Sequence, residues 1–153
     1  MAITSPLVQA PDPGGTPPKV GPGPRARILV VDDNDDAAML LGETLTRKGY
    51  ITKTAADATQ ALDVCRTFSP VAAIIDIGLP VVDGYELARR LRALPSGETM
   101  FLIALTGYGQ ASDRQRALAA GFDRHLVKPV EVATIRTLLD EALARSSGIP
   151  AAE

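Results

Sequence analysis

Short apolar runs alternate with longer amphipathic stretches through most of this chain. The runs at 28–31, 71–75 and 100–105 are almost wholly apolar, which predicts strands buried on both faces of a sheet. The more polar runs at 51–55 and 122–127 predict two further strands. Each run is followed by apolar residues at helical spacing. The pattern therefore predicts five strands that alternate with five helices.

This alternating order also predicts how the elements are arranged. Strands that alternate with helices are expected to be parallel and joined by right-handed crossovers, with helices on both faces of the sheet. Five such units fit an α/β fold of the flavodoxin-like type, a doubly wound (βα)5 parallel sheet with strand order 2-1-3-4-5. Because polar and apolar residues alternate at 51–55, we expect that strand to lie nearer an edge.

The predicted helices have recognisable ends and faces. Gly49 and Gly121 end the first and fourth helices, and Asp57 with Gln60 resembles a capping box at the start of the second. The residues predicted to face inward are Ala37, Leu40, Leu41, Thr44 and Leu45 in the first helix, and Ala111, Gln115, Leu118 and Ala119 in the fourth. Since the apolar face of the fourth helix is thin, we expect that helix to be less firmly held than its neighbours.

The two ends of the chain differ from this regular part. Residues 1–24 contain seven of the twelve prolines and show no hydrophobic period. We therefore predict a disordered arm or linker, rich in Pro and Gly, at 1–25. One folded domain is predicted at 26–146, followed by a disordered tail at 147–153.

Composition excludes several classes of function. The net charge of −2 over 153 residues gives no reason to expect binding to nucleic acid or to an acidic membrane surface. Since no apolar run approaches the roughly 20 residues of a membrane span, no membrane segment is predicted. The single cysteine, Cys65, is interpreted as a core residue of the second helix, and a cytoplasmic location is predicted.

Polar residues follow four of the predicted strands. Asp32 and Asp33 follow the first strand, Asp76 the third, Thr106 the fourth and Lys128 the fifth. Because the carboxyl ends of parallel strands lie along one edge of a sheet, we expect these side chains to converge on one pocket. Asp76 alone would equally suit a turn cap, since Asp is a common turn residue, but the convergence favours a site.

The chemistry of such a pocket points to metal and phosphate. Three carboxylates in close contact repel one another unless a divalent cation lies between them. Ligand sets made only of oxygen favour Mg2+ or Mn2+ over zinc, and a carboxylate-bound metal is suited to binding phosphate. Lys128 would add a positive charge, and the Thr106 hydroxyl a hydrogen bond. Asp76 is the candidate attacking group, since a carboxylate can accept a phosphoryl group as an acyl phosphate.

In these motifs the chain resembles a response-regulator receiver domain of two-component signalling. The matching motifs, at intervals close to those usual in the family, are Asp32-Asp33, Asp76 followed by Asp83-Gly84, Thr106-Gly107 and Lys128-Pro129. The residues Asp-Ile-Gly-Leu-Pro at 76–80 and the long N-terminal arm favour the receivers of hybrid sensor kinases slightly over stand-alone regulators.

The resemblance implies a phosphoacceptor function and a cofactor. Asp76 would take a phosphoryl group from a histidine kinase or a histidine phosphotransfer protein. Mg2+ would be held by Asp33, Asp76 and the backbone carbonyl of Gly78, with Asp32 acting largely through water. The domain would thus be a regulatory phosphoprotein rather than an enzyme, and a monomer or a weak phosphorylation-dependent dimer.

The resemblance also implies residues that bind phosphate and change conformation. Lys128, Thr106 and Gly107 would contact the phosphoryl group, and the bond between Lys128 and Pro129 would be cis. His125, the single histidine, stands where the family has an aromatic residue that rotates on activation. We expect it to face the fourth helix and to take part in the conformational switch, and the alternative is a metal ligand or general base.

Two other functions remain as alternatives. A flavodoxin-like phosphohydrolase could use Asp76 as a covalent intermediate, although no inserted segment is available to build a substrate pocket. A flavin or nucleotide binder is disfavoured, because no Gly-rich loop follows the first predicted strand.

Overall fold

The structure, a computed structural model, describes residues 26–107 and 111–146. The elements in chain order are β1 (Arg27–Val31), α1 (Asp35–Arg47), β2 (Ile51–Ala55), α2 (Ala58–Phe68), β3 (Ala72–Asp76), α3 (Gly84–Arg92), β4 (Phe101–Thr106), α4 (Ala111–Ala120), β5 (Arg124–Val127) and α5 (Val132–Ser146). The predicted arm at 1–25 and tail at 147–153 lie outside the described residues. Within the described ranges, no helix has the length and apolar character needed to cross a membrane.

The five strands form one parallel sheet in the order β2-β1-β3-β4-β5, which confirms the predicted fold class. β3 lies at the centre and pairs with β1 on one side and β4 on the other. Because all strands run in the same direction, β1, β3 and β4 end along one edge of the sheet. The outer position of β2 explains why most of its residues are exposed.

Alternate residues of the central strands enter two apolar clusters, one on each face of the sheet. Ile75 and Ala104 belong to the cluster that packs against α2, α3 and α4. Ile74 and Ile103 belong to the cluster that packs against α1 and α5. Cys65 of α2 is buried in the first cluster, as predicted, and burial raises the pKa of its thiol to about 11. The sheet is therefore fixed from both sides.

Three helices begin at a polar cap. The side chains of Asn34, Asp57 and Asp83 each accept a hydrogen bond from the backbone N–H three residues further on. The predicted cap at Asp57 is confirmed, but Gln60 does not complete the usual capping box. Its side-chain oxygen accepts a hydrogen bond from the backbone N–H of Ala56, at 2.8 Å, and so reaches back one residue beyond the cap.

The predicted inward face of α1 is wrong in part. Leu40, which was predicted to face inward, is 67% exposed, and Ala37 is exposed as well. The buried residues of this helix are Ala38, Gly42 and Leu45. The reason is close contact between α1 and β2, because the hydroxyl of Thr52 donates to the carbonyl oxygen of Gly42 at 3.2 Å. Because Gly42 is on the side of α1 that faces β2, Leu40, two residues earlier, lies on the opposite side of the helix and faces outward.

The predicted inward face of α4 is also wrong. The predicted inward residues whose side chains the structure describes are all exposed, namely Gln115, Leu118 and Ala119. Ala117 and Ala120 are buried instead, so this helix does have the thin apolar face that was expected. This orientation buries the two alanines in the apolar cluster beside α3, and it places the guanidinium of Arg116 4.3 Å from the ring centroid of Tyr85.

The guanidinium of Arg92, at the end of α3, connects three segments of the chain. It donates hydrogen bonds to the carbonyl oxygens of Gly97 and Met100, which precede β4. It also donates to the carbonyl oxygen of Gly121, after α4, and to the carboxylate of Asp123 at 2.8 Å. One partly buried side chain therefore satisfies polar groups from the α3–β4 and α4–β5 connections together.

Replacing Arg92 with methionine should destabilise the fold strongly, because the carbonyl oxygens of Met100 and Gly121 lose this donor and the Asp123 carboxylate loses its ion pair. We expect the free energy of unfolding to fall by about 3 kcal/mol. Arg90→Met is the matched control, since Arg90 makes an exposed ion pair with Glu86 that is worth about 0.5 kcal/mol. Urea unfolding followed by circular dichroism measures both variants. Equal losses of stability would contradict the structural role of Arg92.

Candidate functional site

Three carboxylates meet at the edge of the sheet where β1 and β3 end. β1 and β3 pair in parallel, with Val31 opposite Ile75, so the next residue of each strand reaches the same edge. One carboxylate oxygen from each of Asp32, Asp33 and Asp76 lies within 4.8 Å of the other two. Asp32 is buried and Asp33 is exposed, while Asp76 is intermediate. The convergence expected from the strand ends is therefore present in the fold.

Lys128 brings a positive charge to this acidic cluster. Its ammonium nitrogen lies 3.2 Å from Oδ2 of Asp76 and 3.9 Å from Oδ2 of Asp32. The residue follows β5 directly, and its backbone N–H donates to the carbonyl oxygen of Thr106 at 2.7 Å. The bond between Lys128 and Pro129 is cis, as expected. One lysine among three carboxylates leaves the site with an excess of negative charge.

Backbone N–H groups orient two of the carboxylates. Oδ1 of Asp32 accepts a hydrogen bond from the N–H of Asn34 at 2.9 Å, and Oδ1 of Asp76 accepts one from the N–H of Gly78 at 3.0 Å. In both residues the second oxygen, Oδ2, is the one that lies nearest Lys128. Local turns thus fix the direction of each carboxylate, and Oδ2 of each is the oxygen that faces the ammonium group of Lys128.

The environment of Asp32 shows the electrostatic cost of this arrangement. Burial raises the pKa of the Asp32 carboxyl above its usual range, and the charge of Asp76 raises it further. The hydrogen bond from Asn34 and the charge of Lys128 act in the opposite direction. Ionisation of Asp32 is therefore less favourable here than for a carboxyl group in water, and an additional cation nearby would make it more favourable.

The residues of the acidic cluster fit a hard divalent cation. Their donors are carboxylate oxygens, which Mg2+ prefers, and the described residues offer no thiolate or imidazole within the cluster. The excess negative charge and the raised pKa of Asp32 both favour binding of a cation. The three aspartates are thus suited to Mg2+. The backbone of Gly78 is close to them, because its N–H donates a hydrogen bond to Asp76.

Thr106 and Gly107 lie at the same edge of the sheet. Asp76 pairs with Leu105 across β3 and β4, so Thr106 is one residue beyond that partner. Thr106 is 4% exposed and Gly107 is exposed. The two residues are therefore positioned at the end of β4, next to the end of β3 that carries Asp76.

His125 lies away from the acidic cluster. It pairs with Ala104 across β4 and β5, and Ala104 belongs to the apolar cluster that includes Ala117 of α4. Because paired residues of neighbouring strands point to the same face, His125 lies on the α4 side of the sheet, as expected. Its Nε2 is buried and has no hydrogen-bond partner among the described residues. A role in the conformational switch stays a prediction.

The connection from β3 to α3 depends on one glycine. A Cβ atom at Gly84 would lie 2.7 Å from the Cα of Ile77 and 2.8 Å from the carbonyl oxygen of Asp76. No side chain fits at these distances, so only glycine allows α3 to start this close to the end of β3. Asp83 caps the helix at the same point. This contact gives a physical reason for the Asp83-Gly84 motif.

The sequence pattern missed the contribution of Asn34. Its backbone N–H fixes Asp32, and its side-chain oxygen accepts a hydrogen bond from the N–H of Ala37 at the start of α1. The signal was present, because Asn is a favoured cap before a helix whose first turn is acidic. Asp35 and Asp36 form that first turn, where their negative charges interact favourably with the helix dipole.

Comparison with known proteins agrees with this geometry. A family model described as "Response regulator receiver domain" matches residues 28–140. The virulence sensor protein BvgS of Bordetella pertussis is 38% identical over 126 residues, which are 79% of this chain and 10% of BvgS. The response regulator MprA of Mycobacterium bovis is 34% identical over 127 residues, which are 83% of this chain and 54% of MprA. The matched segment is thus only part of either relative.

Solved structures share the fold as well. A CheY-like response regulator receiver domain protein from Methanospirillum hungatei is 29% identical with a TM-score of 0.75, and the match covers 83% of this chain and all of that one. The receiver domain of the sensor histidine kinase PA1611 from Pseudomonas aeruginosa is 31% identical with a TM-score of 0.72. That match covers 79% of this chain and 99% of the other, whose structure has a magnesium ion coordinated in the active site cleft.

The family match begins within β1 and ends within α5, and so includes the whole of β2 to β5 and every residue of the acidic cluster. Relatives and solved structures agree with it in sequence and in fold. On this evidence the chain belongs to the response regulator receiver domain family of two-component systems.

Proposed function

We propose that Asp76 accepts a phosphoryl group from a histidine-phosphorylated kinase or phosphotransfer protein, in a reaction that requires Mg2+. The observation that carries this proposal is the contact of Lys128 with Asp76, at 3.2 Å, inside a cluster of three carboxylates. Such a set can bind a phosphoryl group and neutralise its charge while a carboxylate oxygen attacks. Membership of a regulatory family favours this function over the phosphohydrolase alternative.

Asp76 is the best acceptor of the three aspartates. Its side chain is 13% exposed, so a donor can reach it, and its Oδ2 already lies within hydrogen-bond distance of the lysine. Asp32 is less accessible and lies further from Lys128, at 3.9 Å. Asp33 is exposed, and no contact with Lys128 comparable to that of Asp76 is found among the described residues. Asp76 therefore combines access with charge neutralisation.

Asp33, Asp76 and the backbone carbonyl of Gly78 would hold Mg2+ directly, and Asp32 would act largely through water. When bound, the ion supplies positive charge to the carboxylates and to the oxygens of the transferring group. The metal site that is stated for the similar Pseudomonas aeruginosa receiver supports the same cofactor in this chain. The all-oxygen chemistry of the cluster supports it independently.

The remaining residues act on the phosphoryl group. As an oxygen of Asp76 bonds to phosphorus, the bond between phosphorus and the donor imidazole nitrogen breaks, and the electron pair leaves with the imidazole. Lys128 donates a hydrogen bond to a phosphoryl oxygen, and the hydroxyl of Thr106 and the backbone at Gly107 complete the contacts. Little covalent chemistry is needed beyond positioning and charge neutralisation.

Phosphorylation would then shift a conformational equilibrium. In this proposal Thr106 moves toward the phosphoryl group and the His125 side chain turns inward. Together these movements change the surface formed by α4, β5 and α5. The buried residues of α4 include the small alanines Ala117 and Ala120, so little burial of apolar surface is lost when this helix moves. The thin apolar face of α4 therefore supports the proposed movement. We also propose that the protein is cytoplasmic and that it is a monomer or a weak phosphorylation-dependent dimer.

The type of receiver is a separate part of the proposal. BvgS is named a sensor protein, and the similar Pseudomonas aeruginosa domain belongs to a sensor histidine kinase, which favours the hybrid type. MprA is named a response regulator, which favours the other type. We prefer the hybrid type because of the Asp-Ile-Gly-Leu-Pro sequence at 76–80 and the Pro-rich composition of residues 1–24.

Replacing Asp32 with asparagine should stabilise the metal-free protein, because a buried carboxylate next to Asp76 becomes neutral while the hydrogen bond from Asn34 can persist. We expect the free energy of unfolding in EDTA to rise by about 1 kcal/mol. Mg2+ should stabilise the wild type, since it binds the folded state, and should stabilise the variant much less. Asp63→Asn, at an exposed ion pair, is the control. An equal gain from Mg2+ in wild type and Asp32→Asn would contradict the contribution of Asp32 to the metal site.

Incubation with phosphoramidate and Mg2+ should add one phosphoryl group to the wild type, measured by intact mass. Asp76→Asn should gain none, because an amide cannot accept the group, and EDTA should prevent the gain in the wild type. Asp63→Asn is again the matched control and should react as the wild type does. A gain of mass in Asp76→Asn, or none in the folded wild type, would refute the proposed function.

A further inference from the structure

The connection between β3 and α3 forms a closed loop beside Asp76. At its start, the N–H of Gly78 donates to Oδ1 of Asp76 at 3.0 Å. At its end, the N–H of Gly84 donates to the carbonyl oxygen of Ile77 at 2.9 Å, and Gly84 lies directly against the carbonyl of Asp76. Both ends of the loop therefore lie against Asp76. Val81, at the tip, is three residues from each of these glycines, so the chain keeps it within about 11 Å of residues that contact Asp76.

The tip of this loop holds a strained residue. Val81 has a φ of 65°, in the left-handed region that a β-branched residue rarely adopts. The N–H of Val82 donates to the carbonyl oxygen of Pro80 at 2.7 Å, which closes a γ-turn around Val81. A γ-turn with positive φ is rare and strained even for less bulky residues. The sequence thus keeps a valine where Asn or Gly would be tolerated better.

The side chain of Val81 gains no burial within the domain in return. Leu79 is 5% exposed and belongs to the core, and Ile77 and Val82 pack against the same apolar cluster. Val81 is fully exposed, at 105%. A single exposed aliphatic side chain needs no explanation by itself, but one that is held in a strained turn beside a reactive carboxylate does.

We propose that Val81 is a contact residue for the protein that donates the phosphoryl group, so that it determines how fast a protein donor phosphorylates Asp76. This inference rests on the proposed phosphoacceptor function. The Asp76 side chain is only 13% exposed, so the phosphohistidine of a donor must enter the site and the surrounding donor surface must cover its rim. That surface would bury Val81 and gain the apolar contact that the free domain lacks.

The proposal distinguishes two kinds of donor. A small donor such as phosphoramidate reaches Asp76 without touching the loop tip. A protein donor needs the apolar contact, and loss of one buried valine side chain corresponds to about a tenfold change in an association constant. A purely structural role for Val81 predicts no such difference between donors.

Three variants test this inference. Val81→Asn removes the apolar side chain and tolerates positive φ, whereas Val81→Ile keeps an apolar β-branched side chain. Val71→Asn is the matched control, because Val71 is also exposed, at 41%, but precedes β3 at the opposite edge of the sheet. Each variant is treated with phosphoramidate and with histidine-phosphorylated kinases and phosphotransfer proteins of the same genome, and the donor that is fastest on the wild type is used.

For Val81→Asn we expect an unchanged rate with phosphoramidate and a fall of about tenfold in kcat/KM with the protein donor. Its folding equilibrium constant in EDTA should rise several-fold, because the strain at the turn is relieved. Val81→Ile and Val71→Asn should react with both donors as the wild type does. This combination of higher stability and slower transfer is not expected from a structural role.

A wild-type rate of transfer from the protein donor to Val81→Asn would overturn the inference. An equal loss with both donors would overturn it as well, because the effect would then lie in the site itself. If phosphoramidate phosphorylates the wild type but no histidine-phosphorylated protein does, the inference fails while Asp76 remains a phosphoacceptor. If phosphoramidate also fails, the proposed function fails first.

Discussion

Three carboxylates share one edge of the sheet, because β1 and β3 pair in parallel, β1 is followed by Asp32 and Asp33, and β3 ends at Asp76. The electrostatic repulsion among these carboxylates is the constraint on which the rest of the site depends. Burial makes it more costly, as the raised pKa of Asp32 shows. Lys128 offsets part of it from the end of β5, and its reach across β4 requires the strand order 2-1-3-4-5. The fold thus brings together the ammonium group of Lys128 and carboxylates that are far from it in sequence.

The supporting structure is built to hold these charges in place. Two apolar clusters fix the sheet from both faces, and backbone N–H groups direct one oxygen of Asp32 and one of Asp76. Gly84 lets α3 begin against the end of β3, where a larger residue would collide. Departures from ordinary preferences are concentrated nearby, in the buried carboxylate of Asp32 and the strained turn at Val81. Such departures are typical of functional sites rather than of structural regions.

Much of this arrangement could be predicted from the sequence. The strand order followed from the alternation of apolar runs with amphipathic stretches, and the cluster of Asp32, Asp33 and Asp76 followed from their positions at strand ends. Lys128 could be assigned to the same site because a residue that follows a parallel strand reaches the same edge. These features depend on periodicity and topology, which a single sequence records well.

Other features depend on contacts that periodicity does not record. The outward position of Leu40 depends on which side of α1 packs against β2, and the orientation of α4 depends on the burial of Ala117 and Ala120 beside α3. The role of Arg92 arises from carbonyl groups in two distant connections. Nothing in the pair Val81-Val82 indicates which valine packs inward and which is held in a left-handed turn. Tertiary packing decides such details after the fold class is set.

The most direct test of the account is to locate the phosphoryl group chemically. After treatment with phosphoramidate and Mg2+, borohydride reduction converts an aspartyl phosphate to homoserine, and peptide mass spectrometry finds the altered residue. We predict homoserine at position 76 and at neither position 32 nor position 33, because Asp76 combines access with the contact to Lys128. Conversion at Asp32 or Asp33, or phosphate on His125, would contradict the central claim.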